Sequence, residues 1–275
     1  MRRWPRAWWG VVPGLVSILV FVGYPLVQVM GFSTLDWGGI GEGKPIGLGN
    51  YQTLLSDTDL RESLSTTLKF VLLTLPFYIG LSVFIALEIE GTRLERPVKA
   101  VLFLPGLLTV GASAISWYTL FSDYGVFATV TGIVWPWGSE PFAALCFISA
   151  FTIWQHLGYG VLVFSAGLKS ISTEVLEAAR MDGANEKQIR RFIVLPLLKP
   201  SLIFLGVVGS LYSLQSYTAV FLLTKGSQET KVLGYYLYKV AFEDYRLGYG
   251  SALAIFTLAL TFGVAGVQGR FLKRT

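Results

Sequence analysis

The chain has 275 residues, of which 53% are hydrophobic and 14% charged, and its mean hydropathy is +0.59. Because a soluble domain is typically about a quarter charged, this composition excludes an ordinary soluble protein and indicates an integral membrane protein. The single cysteine, Cys146, excludes a disulfide framework. The net charge of +5 reflects an uneven distribution of charge along the chain, so it does not imply a nucleic-acid partner.

Six segments are apolar and long enough to cross a bilayer, because a helical span takes about twenty residues and lipid offers backbone groups no other partners. They are Val11–Phe32, Leu64–Leu87, Ala100–Phe121, Phe142–Gly167, Leu197–Leu223 and Gly250–Phe271. The first lacks a small-x-small cleavage site, so we interpret it as an uncleaved span that Pro25 bends. The sequence therefore predicts an all-α, polytopic membrane protein with about six transmembrane helices.

The placement of lysine and arginine predicts the orientation of these spans. Most of the 22 basic residues fall in the N-terminal tail, the loop after the second span, the segment after the fourth span and the C-terminus. We therefore expect both termini in the cytoplasm, with residues 1–10 as a tail and residues 11–275 as one transmembrane domain.

The loop after the first span ends in a short amphipathic stretch. Asn50 has a side chain suited to capping a helix, and Tyr51, Leu54 and Leu55 would then lie on one face of that helix. We predict a short surface helix here.

The fifth span carries a run of uncharged polar side chains, namely Tyr212, Ser213, Gln215, Ser216 and Tyr217. In a bilayer such groups must face protein or a water-filled cavity. On a continuous helix they would lie on neighbouring positions of one side, where they could line a substrate cavity. Hydrogen bonding between helices is the alternative role, and the sequence leaves both open.

Further polar and aromatic side chains lie in the third and fourth spans. Trp117, Tyr118, Trp154 and Gln155 are additional candidates for substrate contact, although packing is the favoured role for all four. His156 is the only histidine, and no Cys, Asp or Glu lies near it in sequence, so it predicts no metal site.

The chain carries no set of residues that indicates catalysis. The phosphate-binding pattern GxxxxGK[ST] is absent, and so are paired carboxylates within the spans. We therefore predict that it is not an enzyme. Hydroxyls, amides and aromatic rings suit a neutral polyol, which binds through hydrogen bonds and ring stacking. An ion-coupled secondary transporter would normally place ionisable groups within its spans, and it remains an alternative together with a non-transporting membrane scaffold.

A charged segment, Ser170–Pro200, separates the fourth and fifth spans. Ser172 is a plausible N-cap for a helix that should stop at Gly183. Asn185 and Gln188 then have the spacing of a capping box for a second helix, which Pro196 should interrupt. By composition alone, this helix–glycine–helix pattern also fits an amphipathic loop on the membrane surface.

The residue order within the charged segment resembles the EAA loop of importer-type ABC permeases. The matching residues are Glu177-Ala178-Ala179, Asp182-Gly183-Ala184 and Leu195-Pro196. From about Val11 onward the chain resembles the permease subunit of carbohydrate-uptake ABC transporters of the maltose, glycerol-phosphate and trehalose type. It departs from that pattern in lacking Gly-Gly-Pro after Lys225, which weakens any binding-protein contact assigned to that loop.

The resemblance implies a type I importer fold in which the charged segment is a cytoplasmic coupling helix. The residues implied to meet an ATPase are Leu176, Glu177, Ala178, Ala179, Asp182, Gly183 and Phe192. Within this set the chemistry of each side chain indicates its role. Glu177 offers a carboxylate, the alanines permit close approach, and Gly183 sets the turn. Leu176 and Phe192 either fill a groove on the partner or anchor the segment to its own helices.

The resemblance also implies an assembly in a bacterial or archaeal inner membrane. Its members would be two ATPase subunits that hold ATP and magnesium, a second homologous permease subunit and an extracytoplasmic substrate-binding protein. This chain itself would need no cofactor and would bind membrane lipid and a sugar but no nucleic acid. Transport would proceed by alternating access.

Overall fold

The computed structural model describes residues 5–227 and 229–272. Up to the charged segment, the helices are α1 (Pro5–Ile18), α2 (Tyr24–Phe32), α3 (Gly49–Ser56), α4 (Thr58–Ile89), α5 (Glu95–Leu107), α6 (Val110–Phe121), α7 (Val126–Thr131) and α8 (Pro141–Lys169). From the start of the charged segment onward, the helices are α9 (Thr173–Met181), α10 (Glu186–Ile189), α11 (Leu195–Leu197), α12 (Lys199–Leu214), α13 (Thr218–Leu223), α14 (Leu233–Tyr238) and α15 (Leu247–Leu272). Two short strands, β1 (Leu35–Asp36) and β2 (Lys44–Pro45), pair antiparallel with Leu35 opposite Pro45.

Among the described residues, four helical stretches are long and apolar enough to cross a membrane: Gly10–Phe32, Thr58–Ile89, Pro141–Lys169 and Leu247–Arg270. Two bent pairs, Glu95–Leu107 with Val110–Thr131 and Glu186–Leu197 with Lys199–Leu214, raise the number to six if each pair forms one span. The predicted all-α membrane fold is therefore confirmed, and the third and fifth predicted spans differ from expectation in being broken.

The third span is not the continuous helix Ala100–Phe121 that the sequence predicted. Helix α5 ends at Leu107 and α6 begins at Val110, and the direction of the chain changes by 101° between the two helical stretches. Pro105 lies in the last turn of α5, where it removes a backbone donor. Thr109 then caps α6 by accepting a hydrogen bond from the Ala112 amide at 3.3 Å, so the helix begins afresh there.

The fifth span is also interrupted, because α12 ends at Leu214 and α13 begins at Thr218. Tyr217 has a backbone conformation (φ −124°, ψ −58°) that belongs to no helix. The prediction that the polar run lies along one continuous helical face is therefore wrong. This stretch packs against Gly234, where an added Cβ would lie 2.7 Å from the Ser216 carbonyl oxygen, so a glycine is required for the backbones to approach.

Two prolines follow π-helical turns instead of breaking their helices. The turns are Leu19–Gly23 before Pro25 and Arg190–Val194 before Pro196. A proline clashes with the carbonyl four residues earlier, and the wider π turn displaces that carbonyl while the helix continues. The predicted interruption at Pro196 therefore falls elsewhere, at Leu198, where the chain bends by 58° between α11 and α12.

Two compact units can be distinguished and are described separately. The first comprises the described residues up to Arg61 together with Tyr236–Leu260. Within it, Asn50 does not cap α3 as predicted, since Leu48 holds the cap position. Asn50 is buried instead, and its amide donates to the carbonyls of Ser33 (2.9 Å) and Leu35 (2.8 Å). These loop carbonyls need a donor that the local sequence does not supply.

Asp57 joins three elements of the first unit at the start of α4. Its carboxylate accepts hydrogen bonds from the Leu60 amide (3.1 Å) and from the phenols of Tyr236 (2.5 Å) and Tyr249. Burial alone would raise the pKa of Asp57, but the hydrogen bonds that its carboxylate accepts, foremost those from Tyr236 and Tyr249, together outweigh it and hold the pKa below its ordinary value. Ionised Asp57 therefore ties the start of α4 to α14 and α15.

The second unit, Glu62–Tyr235 with the described residues from Thr261 on, contains two apolar cores. One gathers aromatic side chains of α8 such as Phe147 and Phe151 with residues of α13, including Val220. The other surrounds Phe164 of α8 and includes Leu205 of α12. Both cores depend on α8, so this helix is the axis of the second unit.

Candidate functional site

The charged segment forms the predicted helix–glycine–helix. Ser172 caps α9 by accepting from the Glu174 amide at 3.3 Å, and Asn185 and Gln188 form a reciprocal capping box. Gly183 adopts φ +84°, and two backbone bonds close the turn, from Gly183 to the Arg180 carbonyl and from Ala184 to the Ala179 carbonyl, both at 3.0 Å. This is a complete Schellman motif, so Gly183 is required by the backbone.

The side chains of the charged segment divide between the protein's own core and solvent. Ala179 is only 8% exposed, and Leu176 packs against the same core. The exposed residues among the seven predicted to meet an ATPase are Glu177, Ala178, Asp182, Gly183 and Phe192. Phe192 is 67% exposed and lines a concave surface with Asp182, Gly183 and Ala184. Of the two bulky residues, Leu176 is the anchor and Phe192 is available to a partner.

Ion pairs fix the charged segment and the nearby helix ends. Arg190 contacts Glu88 at the end of α4 with an N–O distance of 2.5 Å. Glu95 accepts from both Lys99 (2.7 Å) and Lys169 (2.6 Å), which joins the start of α5 to the end of α8. Exposed pairs contribute little energy individually, but these cross-links set the relative positions of the helix ends around the charged segment.

The polar run of the fifth span surrounds the break after α12. Tyr212 is 50% exposed and Gln215 is exposed, whereas Ser213 is buried; Ser216 and Tyr217 are half-buried. The candidates therefore do not share one environment, since even the adjacent Tyr212 and Ser213 of α12 differ in exposure.

Gln155 lies at the break in the third span. It is 4% exposed, and its amide nitrogen donates to the carbonyls of Pro105 (2.7 Å) and Leu108 (3.2 Å). The Pro105 carbonyl also accepts from the Leu108 amide at 3.2 Å, so Gln155 adds a second donor there and supplies a donor to the Leu108 carbonyl beyond the end of α5. The Gln155 side-chain oxygen is buried and has no hydrogen-bond partner within the described part of the chain. Gln155 therefore stabilises the break and retains one free acceptor.

The other three candidates from the third and fourth spans belong to an aromatic cluster. Trp117 has ring centroids of Phe121 at 4.8 Å, Trp154 at 4.9 Å and Phe151 at 5.8 Å. Tyr118 is 46% exposed and meets Trp137 edge-on. Packing is thus the observed environment of Trp117 and Trp154, whereas Tyr118 retains an open surface.

A cavity of about 230 Å³ adjoins both the third-span break and the fifth span. Gln155 and Tyr212 line it, together with His156, Tyr159 and Gly106. The His156 ring lies 4.8 Å from the Tyr212 ring and its Nδ1 contacts the Thr152 carbonyl at 2.9 Å. From the sequence, His156 was expected to take part in packing or in a hydrogen bond, and Tyr159 was not singled out. Both residues could have been recognised as candidates for cavity lining, because a polar side chain inside a span usually faces a cavity or a partner.

No group of three or more His, Cys, Asp or Glu side chains that could hold a metal occurs among the residues that the structure describes. The candidate site therefore consists of hydroxyl, amide and aromatic groups, together with the exposed charged segment.

Comparison with known proteins identifies the family. A family model described as "Binding-protein-dependent transport system inner membrane component" matches residues 55–275. The chain belongs to this family. Among its relatives are the sn-glycerol-3-phosphate transport system permease protein UgpA of Yersinia pseudotuberculosis, 30% identical over 96% of this chain and 93% of the relative, and the probable ABC transporter permease protein YesP of Bacillus subtilis, 30% identical over 89% of this chain and 82% of the relative.

A solved structure supports the same fold. The chain matches a subunit of a bacterial ABC transporter that imports the acidic polysaccharide alginate, with a TM-score of 0.84, 20% identity, and 98% of this chain and 95% of that chain covered. The predicted importer permease fold is confirmed by this match. The chain is a transmembrane permease of an ABC importer, and proteins of its family work with a substrate-binding protein.

Proposed function

We propose that this chain forms, with a second permease subunit, the translocation pathway of an ATP-driven importer for a sugar or related polyol. Separate ATPase subunits would power transport through the charged segment. The family membership and the glycerol-3-phosphate system of one relative support this cargo class. The hydroxyls, amides and aromatic rings near the two breaks have the chemistry to bind such a molecule.

The observation that carries the proposal is the division of the charged segment into an anchored face and a free face. Ala179 and Leu176 pack into the second unit, while Phe192, Glu177 and Asp182 remain exposed. An element that transmits force must be fixed to its own domain and accessible to its partner. The charge asymmetry of the sequence predicts that this segment lies in the cytoplasm, where an ATPase would meet it.

The substrate pathway is proposed at the broken third and fifth spans. Irregular backbone at membrane depth is tolerated where it is buried in protein or lines a water-filled cavity, and broken helices form binding sites in other transporters. Tyr212 and Gln155 line the cavity at the third-span break. The fifth-span break adds further polar side chains: Ser213 lies just before it, and Ser216 and Tyr217 lie within it. Gln215, also within the break, offers an exposed amide.

Alternating access would follow from the energetics of partner binding. ATP can shift the permease between inward-open and outward-open states only if the ATPase contacts the charged segment differently in the two states. The concave surface beside Phe192 is the proposed place of such a contact.

Gly183→Asp in the reconstituted transporter tests the coupling step. The φ of +84° strains an aspartate, and no atom lies within 4 Å of an added Cβ, so the effect is confined to the exposed turn. We expect normal membrane insertion with loss of substrate uptake and of substrate-stimulated ATP hydrolysis. Gly132→Asp is the matched control, because Gly132 has φ +69° and equally open space at the end of α7. Normal uptake by Gly183→Asp would contradict the coupling role.

A further inference from the structure

A second, larger cavity lies between the end of α6 and the loop that follows α13. Its volume is about 620 Å³, within the range of about 300–1,000 Å³ typical of small-molecule sites. Side chains of Ile115 and Leu222 supply apolar lining, and Tyr118 and Trp137 supply aromatic lining. The cavity is separate from the one beside Gln155, with which it shares no lining residue.

The aromatic wall of this larger cavity is held rigidly. Trp137 stacks on Phe147 at 4.6 Å with an angle of 9°, and its indole nitrogen donates to the Phe121 carbonyl at 2.8 Å. Tyr118 meets Trp137 edge-on at 5.5 Å. Because Trp137 is 8% exposed and Tyr118 is 46% exposed, the tyrosine presents the accessible ring and the tryptophan supports it.

The remaining lining is polar and carries both signs of charge. Asp123 and Tyr124 come from the loop after α6, and Lys225 and Ser227 come from the loop after α13. Lys225 has φ +51°, a conformation that a glycine would adopt more easily. Thr224 and Thr230 pair through their hydroxyls at 2.6 Å within the same loop, and Thr230 is fully buried.

We propose that this cavity is an entrance subsite for one pyranose ring of the cargo. The Tyr118 ring stacks against the apolar face of the sugar, the Asp123 carboxylate accepts from its hydroxyls, and the Lys225 ammonium donates to them. The opposite charges of Asp123 and Lys225 balance, which favours a neutral ring over an anion. This inference rests on the proposed import of sugars, and it places an additional ring-binding position away from the breaks in the third and fifth spans.

Saturation-transfer NMR with methyl α-D-glucopyranoside and with maltose tests the subsite directly. The complete transporter is placed in lipid nanodiscs without alkyl maltoside detergent, because that detergent carries the same ring. We expect transfer to the ring protons of both probes with the wild type. Asp123→Asn removes a charge-assisted hydrogen bond and should weaken binding about tenfold. Tyr118→Leu should reduce the signal to the part that comes from other sugar-binding positions of the complex, because it removes the stacking ring of this subsite.

Two further variants separate binding from folding. Lys225→Gly removes the ammonium and relieves the unfavourable φ, so it should weaken binding without loss of thermal stability. Glu140→Gln is the matched control: it neutralises a carboxylate in the next loop, between α7 and α8, outside the cavity lining, and it should bind both probes as the wild type does.

The possible outcomes distinguish a failure of the subsite from a failure of the proposed sugar import. Absence of transfer to either probe, or unchanged transfer in Tyr118→Leu and Asp123→Asn, would overturn the subsite even if the wild type imports sugar. Variants that keep probe binding but require more binding protein for half-maximal uptake would also overturn it, and would assign the cavity to protein docking. If the wild-type complex binds the probes but takes up no sugar, that result would count against the proposed function and leave the subsite in place.

Discussion

Gly158 marks the closest approach of α8 to α5, and it offers a sharp test of the packing that positions Gln155. A Cβ at Gly158 would lie 2.5 Å from the Leu102 carbonyl carbon and 2.6 Å from the Phe103 Cα. Carbon atoms pack favourably at about 3.5–4.0 Å, so Gly158→Ala requires the two helices to separate by about 1 Å. The obstacle is backbone, which no rotamer change can move aside.

The expected cost of Gly158→Ala follows from two opposing effects. Overpacking typically costs about 1–3 kcal/mol, and a backbone clash belongs at the upper end of that range. The gain in helix propensity from glycine to alanine is about 1 kcal/mol. The net destabilisation is therefore about 2 kcal/mol, which corresponds to a fall in Tm of about 4–8 °C for a protein of this size.

A thiol-reactive dye measures this effect directly, because Cys146 is the only cysteine and reports unfolding of the second unit. Gly206→Ala in α12 is the matched control, since no atom lies within 4 Å of its added Cβ. We expect Gly206→Ala to retain or raise the Tm. Equal Tm values for Gly158→Ala and the wild type would refute the inference that close α5–α8 packing requires a glycine.

Two further predictions concern buried polar contacts. Gln155→Leu removes the side-chain donor to the Pro105 and Leu108 carbonyls, of which Pro105 keeps the Leu108 amide. It should lower the free energy of unfolding by about 1–3 kcal/mol, the cost of an unsatisfied acceptor, and with it the Tm; an unchanged Tm would assign the Leu108 carbonyl to water. Because the folded-state pKa of Asp57 is lowered, its ionised form stabilises the fold above about pH 4, and this contribution is lost as pH falls through the folded-state pKa. On acidification the wild type should therefore lose more Tm than Asp57→Asn, and parallel losses would contradict this.

The local features of the charged segment could be predicted from sequence because each depends on residues a few positions apart. Ser172 reaches the Glu174 amide, Asn185 and Gln188 bond each other, and Gly183 alone permits the turn. Such signals act through the backbone of one or two turns. The fold class was equally accessible, since apolar length determines which segments can span a bilayer.

The breaks in the third and fifth spans could not be predicted from local sequence alone, because contacts with residues distant in sequence help to form them. The third-span break depends on Gln155, which lies 50 residues beyond Pro105 along the chain. The fifth-span break lies against Gly234, and the adjacent Leu233 amide donates to the Thr67 hydroxyl at 2.8 Å. The segment from Ser210 to Thr224 contains no proline or glycine, so only the tertiary contacts reveal the interruption.

The fifth-span break has a mechanical consequence for the proposed coupling. Helix α12 has 16 residues and is therefore about 24 Å long, and it runs from the end of the charged segment to Gln215. A regular helix transmits displacement, whereas the three residues between α12 and α13 lack continuous intrahelical bonds and can absorb a change in φ and ψ. We expect the angle between α12 and α13 to change when ATP binds. Spin labels at Lys199 and Leu222 would measure it, and an unchanged distance between the nucleotide-free and ATP-bound transporter would place the moving joint elsewhere, with Leu198 the next position where the backbone bends.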